Sequence, residues 1–495
     1  MVKQLLDVDL LREMQKDNLW WKNGEIPEDK DKPFHRSDFY MYLKELNSRG
    51  IRIIIGPRRV GKTILFHQLI KYLIKEKKVT PKNIIYLDLA KPYFSFDIMG
   101  INPCLKTYQE NILKTDFENV EKGKLIYIFI DEIQKEKNWT TILEAFRSRN
   151  LPLLFMVTGS SAPEIKKNTD ESLVGRAKET NMLHLKFRDI VRKELGYNEE
   201  KLKEVKNIDL IFEKAIEEKK IKLFYDYLIK ELFTDTLTHD FEIKVKNILT
   251  KYFLRGGYPE FYEEKNNSTW YSISKTMRDD YFQRIISRDV VELFNINKPE
   301  IIRKLYTLIG LDTSNIVNFS KYTEIIETKQ ETLKEYFTHL EKTFLVSSSE
   351  KYYKKNRPKN TRKKVYVTDI GMRNAVLGLN EEEISENLGA IAETVAHNHC
   401  KRLKYRLHPT NEFNLDYWIY NGGEVDIILD LKKIIIPIEI KYREKIRSED
   451  MQGLKDFIKT FNSKKIQFGI ILTKNDLFLE DSILGVPLWL FLLIC

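Results

Sequence analysis

Cysteine is scarce in this sequence. Cys104, Cys400 and Cys495 lie far apart among 495 residues, which excludes a disulfide framework and the paired spacing of a zinc knuckle. A membrane-spanning run is also missing. The apolar C-terminal stretch, residues 483–494, holds Gly485 and Pro487 and falls short of the ~20 residues a spanning helix needs. A buried final strand is expected there. The first residues, MVKQLLDVDLLREMQ, carry acids inside their apolar positions and lack the plan of a signal peptide. These absences lead to the expectation of a cytoplasmic protein.

What is present is length and positive charge. The chain exceeds what one core usually holds, so two to four domains are expected. Its 42% hydrophobic content is that of a globular protein. The net charge of +10 suits an acidic polymer as partner, nucleic acid before a membrane surface. The 32% of charged residues also suits a well-solvated surface, so charge decides little alone.

Residues 51–55, a β-branched run broken only by Arg52, suggest a buried strand. Gly56-Pro57-Arg58-Arg59-Val60-Gly61-Lys62-Thr63 follows at once, and then a helical pattern of Leu65, Leu69 and Leu73. Strand, glycine-rich turn and helix together make a P-loop. These eight residues form the phosphate cradle, because Gly56 and Gly61 let successive N–H groups point inward at a helix N-terminus. Lys62 is placed to reach the β- and γ-phosphates, and the Thr63 hydroxyl to ligate Mg²⁺. The side chains of Arg58 and Arg59 are expected to face solvent or DNA.

A second strand is expected at residues 83–89. A third, KLIYIFI at 124–130, ends in Asp131-Glu132, with an acid at the strand tip where open α/β sheets bind ligands. Asp131 suits Mg²⁺ and Glu132 suits the general base that polarises the attacking water. A fourth strand, 153–157, leads to Ser160, which fits either a sensor of the γ-phosphate or a plain helix N-cap. Residues 181–185 supply a candidate fifth strand. The adjacent acid pair, and an extra strand between P-loop strand and acid strand, point to ATPases of the AAA+ kind. No Asn-Lys-x-Asp guanine reader occurs in this region. Arg176 fits an arginine finger, in cis or from a neighbouring subunit, and equally a surface ion pair. Trp20 and Trp21 are expected to pack against this domain.

Residues 191–295 have the look of a helical lid or linker, with a junction at Arg255-Gly256-Gly257-Tyr258-Pro259 that cannot continue a helix. Residues 296–380 suggest a winged helix-turn-helix. Helices are expected at 301–311 and 320–328, and a third opens on a capping box at Thr328-Lys329-Gln330-Glu331. A hairpin of 343–347 and 365–368 completes the plan. Between the hairpin strands, from Lys351 to Lys364, eight of fourteen residues are Lys or Arg and none is acidic, with Tyr352 and Tyr353 interleaved. That segment suits phosphate contacts with DNA.

Residues 381–495 carry a second constellation. Glu393 lies on a predicted helix at 389–403, Asp426 on the strand EVDIILDL, and Glu439 and Lys441 on KKIIIPIEIKYR. Alternation puts Glu439 and Lys441 on one strand face. Carboxylates of Glu393, Asp426 and Glu439 around Mg²⁺, with Lys441 beside the water, suit phosphodiester hydrolysis. His397, His399 and Cys400 do not make a zinc site, since no second ligand cluster pairs with them.

In order, GPRRVGKT, FIDEIQ, TGSS, SLVGRA, RGGYPE, SRDVV, KVYVTDIG, GGEVD and PIEIK resemble a prokaryotic, often archaeal, family of AAA+-like ATPases. In that family a P-loop domain precedes a winged-helix region and a restriction-endonuclease-like domain. The resemblance spans nearly the whole chain. It implies an α/β multidomain fold with a doubly wound parallel sheet over residues 1–190. It also implies ATP and Mg²⁺ as cofactors, and a PD-(D/E)xK centre at Glu393, Asp426, Glu439 and Lys441. Val425 precedes Asp426 where the family pattern has proline. ATP-driven DNA processing is the expected function, with a nucleotide-dependent switch whose nuclease-like domain only grips as the alternative. A homo-oligomer is compatible with either.

Overall fold

The computed structural model describes residues 2–91, 100–160, 177–196, 203–230, 239–263, 269–353, 362–408, 414–420 and 422–495. The chain divides into two compact units, Met1–Leu183 and His184–Cys495.

The first unit is built on five parallel strands: β1 (Gly50–Ile55), β2 (Ile84–Asp88), β3 (Ile126–Asp131), β4 (Leu153–Gly159) and β5 (Ala177–Asn181). Their order is β2-β3-β4-β1-β5. β4 thus separates the P-loop strand from the acid strand, as expected. β1 but for Arg52, β3 up to Asp131 and β4 up to Thr158 are apolar because a parallel sheet is covered on both faces, and β3 and β4 are buried throughout. The helix Lys62–Lys75 buries Leu65, Leu69 and Leu73. β5 lies four residues before its expected place. The polar AKETN is an edge strand, and the apolar residues after it, Met182 among them, run past the tip of β1, where the Met182 N–H donates to Ile55 O at 2.8 Å.

The opposite edge is covered by side chains. Asn18 donates to Tyr86 O at 2.9 Å and accepts from Tyr86 N at 2.7 Å. Both indoles, of Trp20 and Trp21, donate to Ile84 O at 3.1 and 2.7 Å. The tryptophan pair therefore packs against the sheet.

The second unit contains the segments 191–295, 296–380 and 381–495 together. Its sheet has eight strands: β6 (Val346–Lys351), β7 (Lys363–Val367), β8 (Asp416–Tyr420), β9 (Gly423–Asp430), β10 (Ile435–Lys441), β11 (Gly469–Thr473), β12 (Phe478–Glu480) and β13 (Ile483–Pro487). The order is β12-β13-β11-β10-β9-β8-β6-β7. β9 and β10 pair antiparallel, and the helix Gln452–Phe461 buries Leu454 and Phe457 in the core below β9.

Several local expectations are corrected. Helices Pro299–Leu311, Phe319–Ile326 and Gln330–Lys342 come in the expected order, but the hairpin after them is no free wing. β6 pairs in parallel with β8 at Glu350 and Lys351 and so extends the C-terminal sheet. The capping box at Thr328 does not form. Glu327 adopts φ +59, Thr328 N–H closes back on Thr323 O, and the third helix starts later with Lys329 as an N-cap that makes no side-chain bond. Residues 483–494 are not one strand. Pro487 ends β13 and begins a buried helix, Leu488–Ile494, an ambiguity that apolar runs carry by nature.

RGGYPE and VTDIG form one joint. The helix His239–Arg255 stops at Gly256, φ +69, where a Cβ would lie 2.3 Å from Asp369 Oδ1. A Cβ on Gly371 would lie 2.1 Å from Arg255 O. Asp369 accepts from Gly257 N and Met372 N, both at 2.8 Å, and so caps the helix Ile370–Leu377. Burial pushes its carboxyl up to about 6, although the backbone donors oppose this.

Candidate functional site

Gly56 and Gly61 shape the P-loop. A Cβ on Gly56 would lie 1.9 Å from Met182 O, and Gly61 has φ +97. Arg59 also takes a left-handed backbone, φ +63. Lys62 is buried at 5% exposure, and its ammonium donates to Gly56 O at 2.7 Å and Pro57 O at 2.8 Å. The charge is thus held over the cradle by the loop's own carbonyls.

Thr63 Oγ1 donates to Asp131 Oδ2 at 2.5 Å, which unites the end of the P-loop with the tip of β3. A hydroxyl and a carboxylate are hard oxygen donors, so this pair fits Mg²⁺. Thr158 donates to Asp131 Oδ1, and Tyr86 OH donates to Asp131 Oδ2 at 3.3 Å. Glu132 leaves the strand with φ +54, its N–H bonded to Asp131 Oδ1 at 3.1 Å. Its carboxylate accepts from Ser160 Oγ at 3.0 Å and Gln134 Nε2 at 2.5 Å. Burial pushes the Glu132 carboxyl up, but the Lys62 and Arg58 charges outweigh it and leave it below the usual range. Glu132 is therefore ionised at neutral pH.

Lys62, Thr63, Asp131, Glu132 and Ser160 thus meet at the C-terminal ends of β1, β3 and β4. Arg176 lies outside the described residues. Gln134 and Tyr86 were missed by sequence reasoning. Gln134 was within reach of it, since FIDEIQ sets an amide two residues beyond the base.

The second constellation also comes together, with an addition. Asp426 N–H donates to Glu439 Oε2 at 3.2 Å, Ile440 N–H to Asp426 Oδ2 at 2.9 Å, and Lys441 Nζ to Glu439 Oε1 at 2.5 Å. Glu393 stands on the helix Leu388–Leu407, where Tyr366 OH donates to its Oε1 at 3.0 Å. Among these carboxylates lies Lys364 Nζ, 2.8 Å from Glu393 Oε1, 3.0 Å from Glu424 Oε1 and 2.7 Å from Asp426 Oδ1. Burial, together with the neighbouring Asp426, raises both Glu393 and Glu439 above the usual range. Lys364 is 2% exposed, which corrects its expected place among the DNA-contacting side chains of the basic segment. Residues 354–361 of that loop lie outside the described residues. Tyr352 is no free stacking platform either, since its ring packs on Phe457 and Phe461 at 5.8 and 5.3 Å.

The residues present do not fit Mg²⁺ here. Cations of the chain already occupy the cluster: Lys364 Nζ lies within 3.0 Å of Glu393, Glu424 and Asp426, and Lys441 Nζ lies 2.5 Å from Glu439. Among the described residues no group of three or more His, Cys, Asp or Glu is arranged to hold a metal ion. Nearby, His397 stacks on Tyr366 at 3.7 Å and bonds Ser349 at 3.0 Å. His399 accepts from Phe187 N–H at 3.1 Å, and burial holds it down at about 3. Both are core histidines.

Residues 48–191 match the AAA domain family. That match takes in the P-loop, Asp131 and Glu132, so the P-loop unit is similar to an AAA domain. Beyond this AAA domain, residues 246–383 and 388–491 match two domains of unknown function, DUF8612 and DUF4143. The uncharacterized protein MJ1544 of Methanocaldococcus jannaschii is 24% identical over 435 residues, 86% of this chain and 82% of its own. An uncharacterized protein of Haemophilus influenzae is 24% identical over 348 residues, 68% of this chain and 72% of its own. A UPF0102 protein of Flavobacterium johnsoniae is 31% identical over 80 residues, 16% of this chain and 55% of its own. Among solved structures, the ORC2 protein of Aeropyrum pernix in ADPNP and ADP complexes aligns with TM-score 0.33 and 12% identity, covering 76% of this chain and 97% of that one. No described helix is long and apolar enough to cross a membrane.

Proposed function

We propose that the AAA domain binds and hydrolyses ATP, and that its nucleotide state controls how the second unit engages DNA. The hydrogen-bonded set Lys62, Thr63, Asp131, Glu132 and Ser160 at the strand ends carries this reading. As ATP enters, the Lys62 ammonium exchanges the Gly56 and Pro57 carbonyls for phosphate oxygens, and the loop N–H groups cradle the phosphates. Mg²⁺, when bound, offsets phosphate charge at Thr63 and Asp131. Glu132, held by Ser160 and Gln134, orients the attacking water and takes its proton. Arg176 is the arginine-finger candidate, with a homo-oligomer as the setting in which it would act on a neighbour.

For the second unit, the misfit of its centre to Mg²⁺ favours the reading in which a nuclease-like domain grips DNA without cutting it. Lys354, Lys355, Arg357 and Lys359 of the basic segment supply the phosphate contacts. Calorimetry with ATP tests the first part: Lys62→Ala is expected to abolish measurable binding, and unchanged uptake sinks the proposal. Incubation of supercoiled, linear and single-stranded DNA with Mg²⁺, with and without ATP, tests the second. Intact DNA in every case is expected, whereas cutting that disappears in Glu439→Ala/Lys441→Ala restores the cleaving alternative.

A further inference from the structure

The Lys364 ammonium donates to Glu424 Oε1 at 3.0 Å and Asp426 Oδ1 at 2.7 Å, and pairs with Glu393 Oε1 at 2.8 Å. The three come from different places: Glu393 from the helix Leu388–Leu407, Glu424 and Asp426 from alternate positions of β9. Lys364 reaches them from β7, two strands beyond β8 in the sheet. Alternation puts Tyr366 on the same face of β7, and its hydroxyl holds Glu393 Oε1, the oxygen that also faces Lys364. A charge buried to this depth is tolerable only when its partners are in place, and here three carboxylates surround it.

We propose that the Lys364 ammonium is the resident cation of this centre, standing among Glu393, Glu424 and Asp426 where a divalent metal would otherwise sit beside Asp426 and Glu439. The centre then works as a metal-free clasp. It joins β7, and with it the end of the basic segment, to β9 and to the Glu393 helix. This deepens the non-cleaving reading of the second unit and is independent of the P-loop, which lies in the other unit. Failure of ATP binding therefore leaves it standing, and the reverse holds as well.

Anomalous diffraction from crystals of the full chain grown with Mn²⁺ tests it. In the wild type no anomalous peak is expected within the carboxylate cluster, with density for Lys364 Nζ there instead. In Lys364→Met one Mn²⁺ is expected in the cluster, lost again in Lys364→Met/Asp426→Asn. A peak bound by Asp426 and Glu439 in the wild type overturns the proposal, as does a well-folded Lys364→Met that takes up no Mn²⁺ there. Should Lys364→Met not fold, the wild-type crystal decides alone.

Discussion

Glu132 combines a left-handed backbone, φ +54, with a carboxylate kept ionised by Lys62 and Arg58. A non-glycine residue held there costs roughly 1–3 kcal/mol, and the bond from its own N–H to Asp131 Oδ1 helps to hold it. Such strain aims the side chain back over the strand tips. Glu132→Gln should keep ATP affinity and lower turnover by roughly 10²- to 10⁴-fold, the usual contribution of a general base, as steady-state phosphate release would read. Asp369 offers a test through pH. Its carboxyl is raised from the ordinary 3.8 to about 6, so the folded state holds the proton more tightly than the unfolded chain. That contribution is complete below the ordinary value and is lost as pH rises through about 6. Urea midpoints of Asp369→Asn should accordingly fall less between these pH values than those of the wild type.

The strands that carry motifs were the legible ones. β1, β3 and β4 are apolar runs that end abruptly in Gly56, Asp131-Glu132 and Ser160, so strand and site announce each other. β5 was misplaced because its edge position leaves polar residues in the strand and moves hydrophobic ones past it. Residues 483–494 were misjudged because a fully buried run has no period to read, and only Pro487 marked the change to helix. Lys364 was invisible for a different reason. It is the last of a basic series, and nothing local distinguishes a lysine whose partners lie on a remote strand and helix. The joint of RGGYPE with VTDIG was equally beyond local reading, although both strings were conspicuous. Gly256→Ala and Gly371→Ala each drive a Cβ into that joint and should destabilise the second unit by about 2 kcal/mol or more, measurable as lowered denaturant midpoints. Gly389→Ala, a helical site where a Cβ meets nothing within 4 Å, is the matched control.

Across the molecule, a net charge of +10 and the basic segment predict DNA binding that weakens steeply with salt. Replacing Lys354, Lys355, Arg357 and Lys359 by serine should flatten the plot of log affinity against log salt by about 0.9 for each phosphate that the protein then fails to neutralise. A slope that does not change removes this segment from the interface. The covering of β2 has a consequence for handling the protein. Asn18, Trp20 and Trp21 occupy the outward carbonyl of Ile84 and both main-chain groups of Tyr86, a task that another strand would perform equally well. A version trimmed to start after Gly24 would leave that rim open to strand addition from its twin, and light scattering would record particles that grow with concentration.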